Sequence, residues 1–336
     1  MSKICIVGMH RSGTSLVSHL LYECGLYLGP REKWDNVAHS NPDGFWENTD
    51  FLSINDELLD RFNGGWDFPP TLPLDWHRSP DLKDIRERAE KLVAEFSDQE
   101  FWGWKDPRNS LTLPFWRELI PNLKIVVCLR SPIEVYKSLQ KRGANSKSFG
   151  LSLWRTYAIS IFENIQGSPH IVTSYRNYLF QPLKEISRLI NFAGVPLTTD
   201  EIHRKILRVV KPSLSSQEDS LTEFFEMPND VKALYVNFYR QANQEFDDMA
   251  TNNNETTIDS HLANVYLHEK EQQAQMLTAQ AKEFSSQIKE LSAQVDEKEK
   301  IIQLLTAQLK EIQSGRAWRF VQILQRTRYL FKRSVH

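Results

Sequence analysis

The stretch GMHRSGTSLV, residues 8–17, sets Gly8 and Gly13 at the G-x-x-x-x-G spacing of a phosphate-binding loop. In the common nucleotide loop a lysine follows the second glycine. Here Thr14 takes that place, Ser15 keeps the hydroxyl position, and the cation comes earlier, as Arg11. Backbone N–H groups of such a loop, and of the helix that leaves it, bind oxyanions without a metal. An ATP-dependent enzyme would need the lysine on the β- and γ-phosphates and a carboxylate for Mg2+. With Thr14 in the lysine position, the pattern suits a different donor, one whose single 5′-phosphate carries a transferable group. Ser12, Gly13, Thr14 and Ser15 would supply hydrogen-bond donors, and Arg11 would reach the leaving-group oxygen. No cysteine pair has zinc-ligand spacing, so no metal is expected.

A second constellation follows in VVCLRSPIEVYKSL. Arg130 ends an apolar, strand-like run, and Ser138 lies eight residues on, in a helix that Pro132 can start. The planar fork of an arginine matches a terminal phosphate. These two motifs, in this order, resemble the donor site of the sulfotransferases, which take sulfuryl groups from 3′-phosphoadenosine 5′-phosphosulfate. Their first loop carries a basic residue at the place of Arg11, and their Arg and Ser, spaced as Arg130 and Ser138, grip the 3′-phosphate. NPDGFWEN (41–48), WGWKDPR (102–108) and the run from LSLWRTYAISIFEN through HIVTSYRNYLFQPLKEISRLINFAG resemble one bacterial branch of that family, so the likeness covers about residues 3–200. The KDP segment of the tyrosylprotein sulfotransferases implies that Lys105 neutralises charge in the transition state.

Departures bear on the remaining roles. The R-K-G-x-x-G-D-W-K loop of the cytosolic steroid and phenol sulfotransferases is absent, which leaves Lys211 as a candidate for the far side of the nucleotide. Their catalytic His has no counterpart, and Arg176 stands where relatives carry Glu after the Tyr. The general base is then a carboxylate. Glu47, behind the two aromatic residues of GFWEN, can have its pKa raised by desolvation. Glu32, in GPREKW, is the alternative, since its distance from Arg11 resembles the base-to-arginine spacing of the tyrosylprotein enzymes. Asp106 is expected to partner a nearby cation.

These residues need a frame that brings them to one edge. Strand candidates at 3–8, 101–104, 123–129 and 170–175 alternate with helical patterns at 81–97, 132–141, 150–166 and 181–193. That alternation predicts an α/β fold, a P-loop-like parallel sheet flanked by helices. In such sheets ligands bind beyond the carboxyl ends of the strands, where 8–15, 105–108 and 130–138 all fall.

The catalytic domain is expected to span 1–250, with a polar linker at 251–262. Over 263–313 apolar residues alternate at spacings of four and three, and QMLTAQAKE (275–283) recurs as QLLTAQLKE (303–311). Ile288, Val295 and Ile302 fall at a, with Leu291 and Leu305 at d, which predicts a long coiled-coil helix that forms a parallel homodimer. The tail, 314–336, has six Arg or Lys, no acid, and aromatic residues between them. It reads either as an amphipathic helix that lies on anionic lipid or as a short capping helix. Its SGRAWRF also resembles ends of bacterial polysaccharide-assembly proteins.

In its 336 residues the chain has a net charge of −2, three cysteines and no apolar run long enough to span a membrane. These features predict reduced thiols, no nucleic-acid partner and a cytoplasmic protein, peripheral at the inner membrane. The expected reaction is sulfuryl transfer to a hydroxyl-bearing acceptor, a glycan or glycolipid precursor. The alternatives are a nucleotide-binding coiled-coil scaffold in polysaccharide assembly that does not turn over, and a nucleotide kinase, which Thr14 disfavours.

Overall fold

The computed structural model describes residues 2–35, 44–143, 146–210, 226–243, 285–308, 310, 315, 319–321 and 323–325. The chain divides into two compact units, Met1–Tyr266 and Leu267–His336.

The first unit is built on four parallel strands: β1 (Ser2–Val7), β2 (Phe101–Lys105), β3 (Lys124–Leu129) and β4 (His170–Ser174), ordered β2-β1-β3-β4. Its α/β class and its parallel sheet with flanking helices are those expected, and each strand begins and ends within a residue of the sequence reading. In β1 the residues Ile4, Cys5, Ile6 and Val7 are all fully buried. Strand alternation sends Cys5 and Val7 into one core and Ile4 and Ile6 into the other, so helices must cover both faces. Beneath Ile4 and Ile6 lie α1 (Thr14–Glu23), α8 (Pro182–Ala193) and α9 (Thr199–Val209). The other core takes α2 (Thr49–Asp60), α3 (Lys83–Glu95), α4 (Asn109–Leu119), α5 (Pro132–Gln140), α6 (Lys147–Asn164) and α10 (Asn229–Ala242). A short α7 (Tyr175–Phe180) leaves the end of β4. Cys5, Cys24 and Cys128 are buried, free thiols.

Two helices that position the site were not read from the sequence. Helix α2 starts at Asn48, whose side chain accepts a hydrogen bond from the Asp50 N–H, an ordinary N-cap. Helix α4 contains Pro114, which would normally interrupt a helix by removing the bond to residue i−4. That residue is Ser110, and its carbonyl accepts instead from the Ser160 hydroxyl of α6 at 2.8 Å. The missing bond is thus replaced from outside the helix.

Residues 285–308 of the second unit are helical and exposed throughout, including Ile288, Leu291, Val295, Ile302 and Leu305. The linker at 251–262, the first part of 263–313, and most of the tail lie outside the described residues. Among the described residues no helix is long and apolar enough to cross a membrane.

The core centres on Phe51 of α2, stacked on Trp104 of β2 at 4.6 Å between ring centroids and against Trp116 of α4 at 5.1 Å. Phe51→Ala is expected to lower unfolding free energy by about 3–5 kcal/mol, read from urea denaturation. A loss under about 1 kcal/mol would mean that α2 is not anchored through this ring.

Candidate active site

The loop after β1 is shaped by its backbone. Gly13 (φ +90°) ends the loop in the left-handed region and starts α1. A Cβ at Gly13 would lie 2.4 Å from the Tyr175 ring, and one at Gly8 would lie 2.8 Å from the Cys128 carbonyl oxygen. Arg11 also takes a left-handed conformation, φ +72°. The Gly8 N–H donates to the Ser110 hydroxyl at 3.0 Å, tying the loop to α4. The first intrahelical bond of α1 runs from Val17 N–H to Gly13 carbonyl, so the N–H groups of Thr14 and Ser15 precede it and sit at the positive end of the helix.

Around this loop the predicted donor residues converge. Arg11 Nε donates to Ser138 Oγ at 2.9 Å, across 127 positions of chain. Arg130 Nη1 donates to the Arg11 carbonyl at 3.0 Å, its Nε to Glu134 at 2.8 Å, and its guanidinium lies 4.3 Å over the Tyr175 ring. Burial, then Arg142 and Arg130, bring the Arg11 pKa down to about 10, which leaves it charged at neutral pH. Ser12 behaves differently. Its N–H is bonded to the Met9 carbonyl, and its hydroxyl is enclosed without a hydrogen-bond partner. Lys211 lies outside the described residues.

Lys105 ends β2 and is 1% exposed. Its Nζ contacts Glu47 Oε1 at 2.5 Å and Ser15 Oγ at 3.4 Å, while Ser15 donates to the Phe45 carbonyl at 3.2 Å. Glu47 is buried as well. Burial raises its pKa, and the Lys105 ammonium pulls in the opposite direction. Asp106 partners Arg108, as expected for a structural acid, at 3.0 Å, and Arg108 also meets Asp56 at 2.5 Å. Asn55 of α2 sits behind this segment with every hydrogen-bonding position used. Its amide donates to Asp106 and Asn109, both at 2.8 Å, and accepts from Thr112 at 2.7 Å and Trp116 at 2.8 Å.

Arg11 and Glu47 line one cavity of about 770 Å3, together with Phe45, Trp66, Asp67 and Arg142. Gly13, Thr14, Ser15, Arg130 and Ser138 do not line it, so the candidate residues fall into two groups, one on the cavity and one gathered at the loop and α5. Glu32 belongs to neither: it is exposed on a short 3-10 turn, Arg31–Lys33, because that turn runs over the surface before the chain reaches Glu47. Of the two carboxylates weighed as base, Glu47 alone lines the cavity. A larger cavity, about 1000 Å3, borders residues 69–78 and contains none of the loop residues.

Sequence reasoning passed over two cavity residues that lay inside motifs it quoted. His10 precedes Arg11, and its ring sits 4.5 Å from Trp66 and edge-on to Tyr157 at 5.8 Å. Burial, then Arg108, Lys105, Arg142 and Arg11, hold its pKa well below the usual histidine range, so the ring is neutral. Arg108 closes WGWKDPR and lines the same cavity. Only the position of His10 beside Arg11 could have marked it; nothing in sequence marks Arg108 apart from a surface arginine.

The residues present fit a donor with phosphate groups. Gly8 and Gly13 let the loop pack directly on Cys128 and Tyr175, the N–H groups of Thr14 and Ser15 precede the first intrahelical bond of α1, and Arg11, Lys105 and Arg130 supply cations held by neighbouring groups. Among the described residues no cluster of His, Cys, Asp and Glu could hold a metal ion.

No curated protein matches the chain. Solved structures with a similar fold include sulfotransferase STF9 from Mycobacterium avium, at 14% identity and TM-score 0.42, covering 73% of this chain and 76% of that one. The sulfotransferase domain of the curacin biosynthetic pathway is 16% identical at TM-score 0.42, covering 78% and 97%. A sulfotransferase from Alicyclobacillus acidocaldarius is 16% identical at TM-score 0.39, covering 73% and 95%. These likenesses are too distant to add to the family match, which is direct. The sequence model of the sulfotransferase family matches residues 3–200, more than half of the chain. The chain therefore belongs to the sulfotransferase family, enzymes that use 3′-phosphoadenosine 5′-phosphosulfate as donor.

Proposed function

We propose that this enzyme transfers the sulfuryl group to a hydroxyl of a glycan or glycolipid precursor, with Glu47 as general base. The observation that carries the reading is the buried Lys105–Glu47 pair, whose carboxylate lines the 770 Å3 cavity together with Arg11. An acceptor hydroxyl entering there would give its proton to Glu47 while its oxygen attacks sulfur. The bond from sulfur to the 5′-phosphate breaks in line, and its electron pair stays on the bridging oxygen. Protonation of Glu47 cancels the ion pair with Lys105. The ammonium is then left to the oxygen on which charge develops, with Arg11 and the N–H groups of Gly13 to Ser15. Arg130 and Ser138 take the 3′-phosphate.

Aromatic side chains of Phe45, Trp66 and Phe149 in the same wall as Asp35, Asp67 and Arg142 support a sugar acceptor. Such walls offer apolar faces for ring C–H groups and polar groups for hydroxyls. The exposed apolar seam of 285–308 supports a parallel homodimer through 263–313. The basic tail at 314–336 would hold the dimer at the inner membrane, near glycan assembly in the cytoplasm.

Binding of 3′-phosphoadenosine 5′-phosphate at a hundred times Kd should stabilise the protein by about 2.7 kcal/mol. Neither ATP with Mg2+ nor 5′-AMP should match that effect, and Arg130→Ala should abolish it. A shift with ATP and Mg2+ alone would overturn the donor assignment; no shift with any nucleotide would favour a scaffold that does not turn over. Arg11→Ala should keep binding within several-fold yet lose about a hundredfold or more in kcat, measured as nucleotide product formed with a panel of oligosaccharides. Glu47→Gln should lose turnover similarly. Because burial raises the Glu47 pKa, the wild-type rate should climb with pH through a value above 4.5, where the carboxyl ionises, and that limb should vanish in Glu47→Gln. A Gln variant with normal turnover would remove Glu47 from the base role.

Sedimentation equilibrium of the full chain should give a dimer. Leu291→Lys together with Val295→Glu should yield monomer; if the variant sediments like wild type, the seam is not the interface.

A further inference from the structure

Glu134, the Arg11 backbone and the Tyr175 ring all hold the Arg130 guanidinium. Glu134 Oε2 accepts from Nε at 2.8 Å, the Arg11 carbonyl accepts from Nη1 at 3.0 Å, and the Tyr175 ring lies under the carbon at 4.3 Å. Arg130, Glu134 and Tyr175 are each at most 9% exposed. The carboxylate is the unexpected member. An acid this close to the cation weakens the positive potential that a phosphate would meet, so a site built for charge alone would omit it. Nor is Glu134 there only as a helix-start acid. It stands in the first turn of α5 and forms an S-x-x-E pattern with Ser131, but the Ser131 side chain makes no cap bond. The carboxylate is instead turned back one turn, onto Arg130.

We infer that Glu134 is a positioning residue that sets how well the enzyme distinguishes a 3′,5′-bisphosphate nucleotide from a 5′-monophosphate, by holding the Arg130 fork in one orientation. The inference rests on the reading above that Arg130 takes the 3′-phosphate. A long side chain already ordered by Glu134, Arg11 and Tyr175 loses little freedom when it forms two parallel hydrogen bonds, whereas a released one must be ordered on binding. The acid lowers attraction for phosphate in general and improves geometry for one phosphate in particular. Specificity thus comes at the expense of raw affinity.

Two variants of equal charge separate these effects. In Glu134→Gln the amide oxygen still accepts from Nε, while Glu134→Leu removes the acceptor. Kd values for 3′-phosphoadenosine 5′-phosphate and for 5′-AMP would be measured by calorimetry on the full chain. Glu134→Gln should keep the bisphosphate preference and bind about threefold tighter at low salt, from the charge removed. Glu134→Leu should lose about tenfold of that preference, the cost of ordering one long side chain on binding. Equal preference in Gln and Leu would overturn the inference. If the Leu variant does not fold, Glu134→Ala, which also removes the acceptor, is paired with Glu134→Gln in its place and should lose the preference that Gln keeps. Equal preference in that pair likewise overturns the inference. Arg130→Ala distinguishes the two levels. If it retains the wild-type preference, the donor-site reading itself fails; if it loses the preference while Gln equals Leu, only the role of Glu134 falls.

Discussion

An ammonium group with almost no solvent cannot stay charged in a protein without a partner of opposite sign close by. Lys105 is such a group, and the arrangement around the active site follows from supplying and holding its partner. Glu47 reaches it from a segment that Asn48 fastens twice, by capping α2 and by donating to the Leu28 carbonyl. Helix α2 is in turn held to the stretch after Lys105 by Asn55. Asp106 might have competed for the ammonium, but Arg108 and the Asn55 amide occupy it. Three acids and two cations are thereby sorted into fixed pairs, Lys105 with Glu47 and Arg108 with Asp56 and Asp106. Each pair restricts what the other can do, and the pair whose carboxylate itself lines the cavity is Lys105–Glu47.

The donor side was the most legible part of the sequence because its information is local. Gly8, Arg11 and Gly13 lie within six residues, and Arg130 and Ser138 within nine, so spacing alone implied a shared loop and a shared helix. Strands were legible for a related reason: β1 and β3 are buried on both faces and read as unbroken apolar runs. What failed was whatever depends on distant partners. Helix α4 runs through Pro114 only because Ser160, 50 residues away from Ser110, takes over its carbonyl, and no local pattern announces that. His10 is not legible either, since an imidazole shielded by Trp66 and Tyr157 looks like any other loop residue in one dimension. Glu32 resembled a base by its count from Arg11, yet residues that keep a spacing need not keep a direction.

The side that Glu47 faces shows the opposite balance. Its cavity draws on the phosphate loop, the segment before α2, the loop around Trp66, the residue after Pro107, and the end of α5 with the start of α6. Only the fold brings these five stretches together. Fold and donor chemistry are shared across a family because they reside in the sheet and its edge, whereas acceptor choice resides in connections that vary freely.

The strand order carries a consequence for how the protein comes into being. β1 is synthesised first, but its neighbours in the sheet are β2 and β3, completed only at Lys105 and Leu129. At about 5–20 residues per second, the apolar N-terminal strand waits on the order of ten seconds for the partners that cover it. During that interval Arg11 has neither Ser138 nor Arg130 within reach. The contacts among Arg11, Arg130 and Ser138 thus form late, once β3 and α5 have emerged, and Tyr175 joins them later still. Until β2 emerges, β1 is an apolar strand with both edges unpaired, and until α5 emerges no ligand that needs Arg11 beside Ser138 can stabilise it.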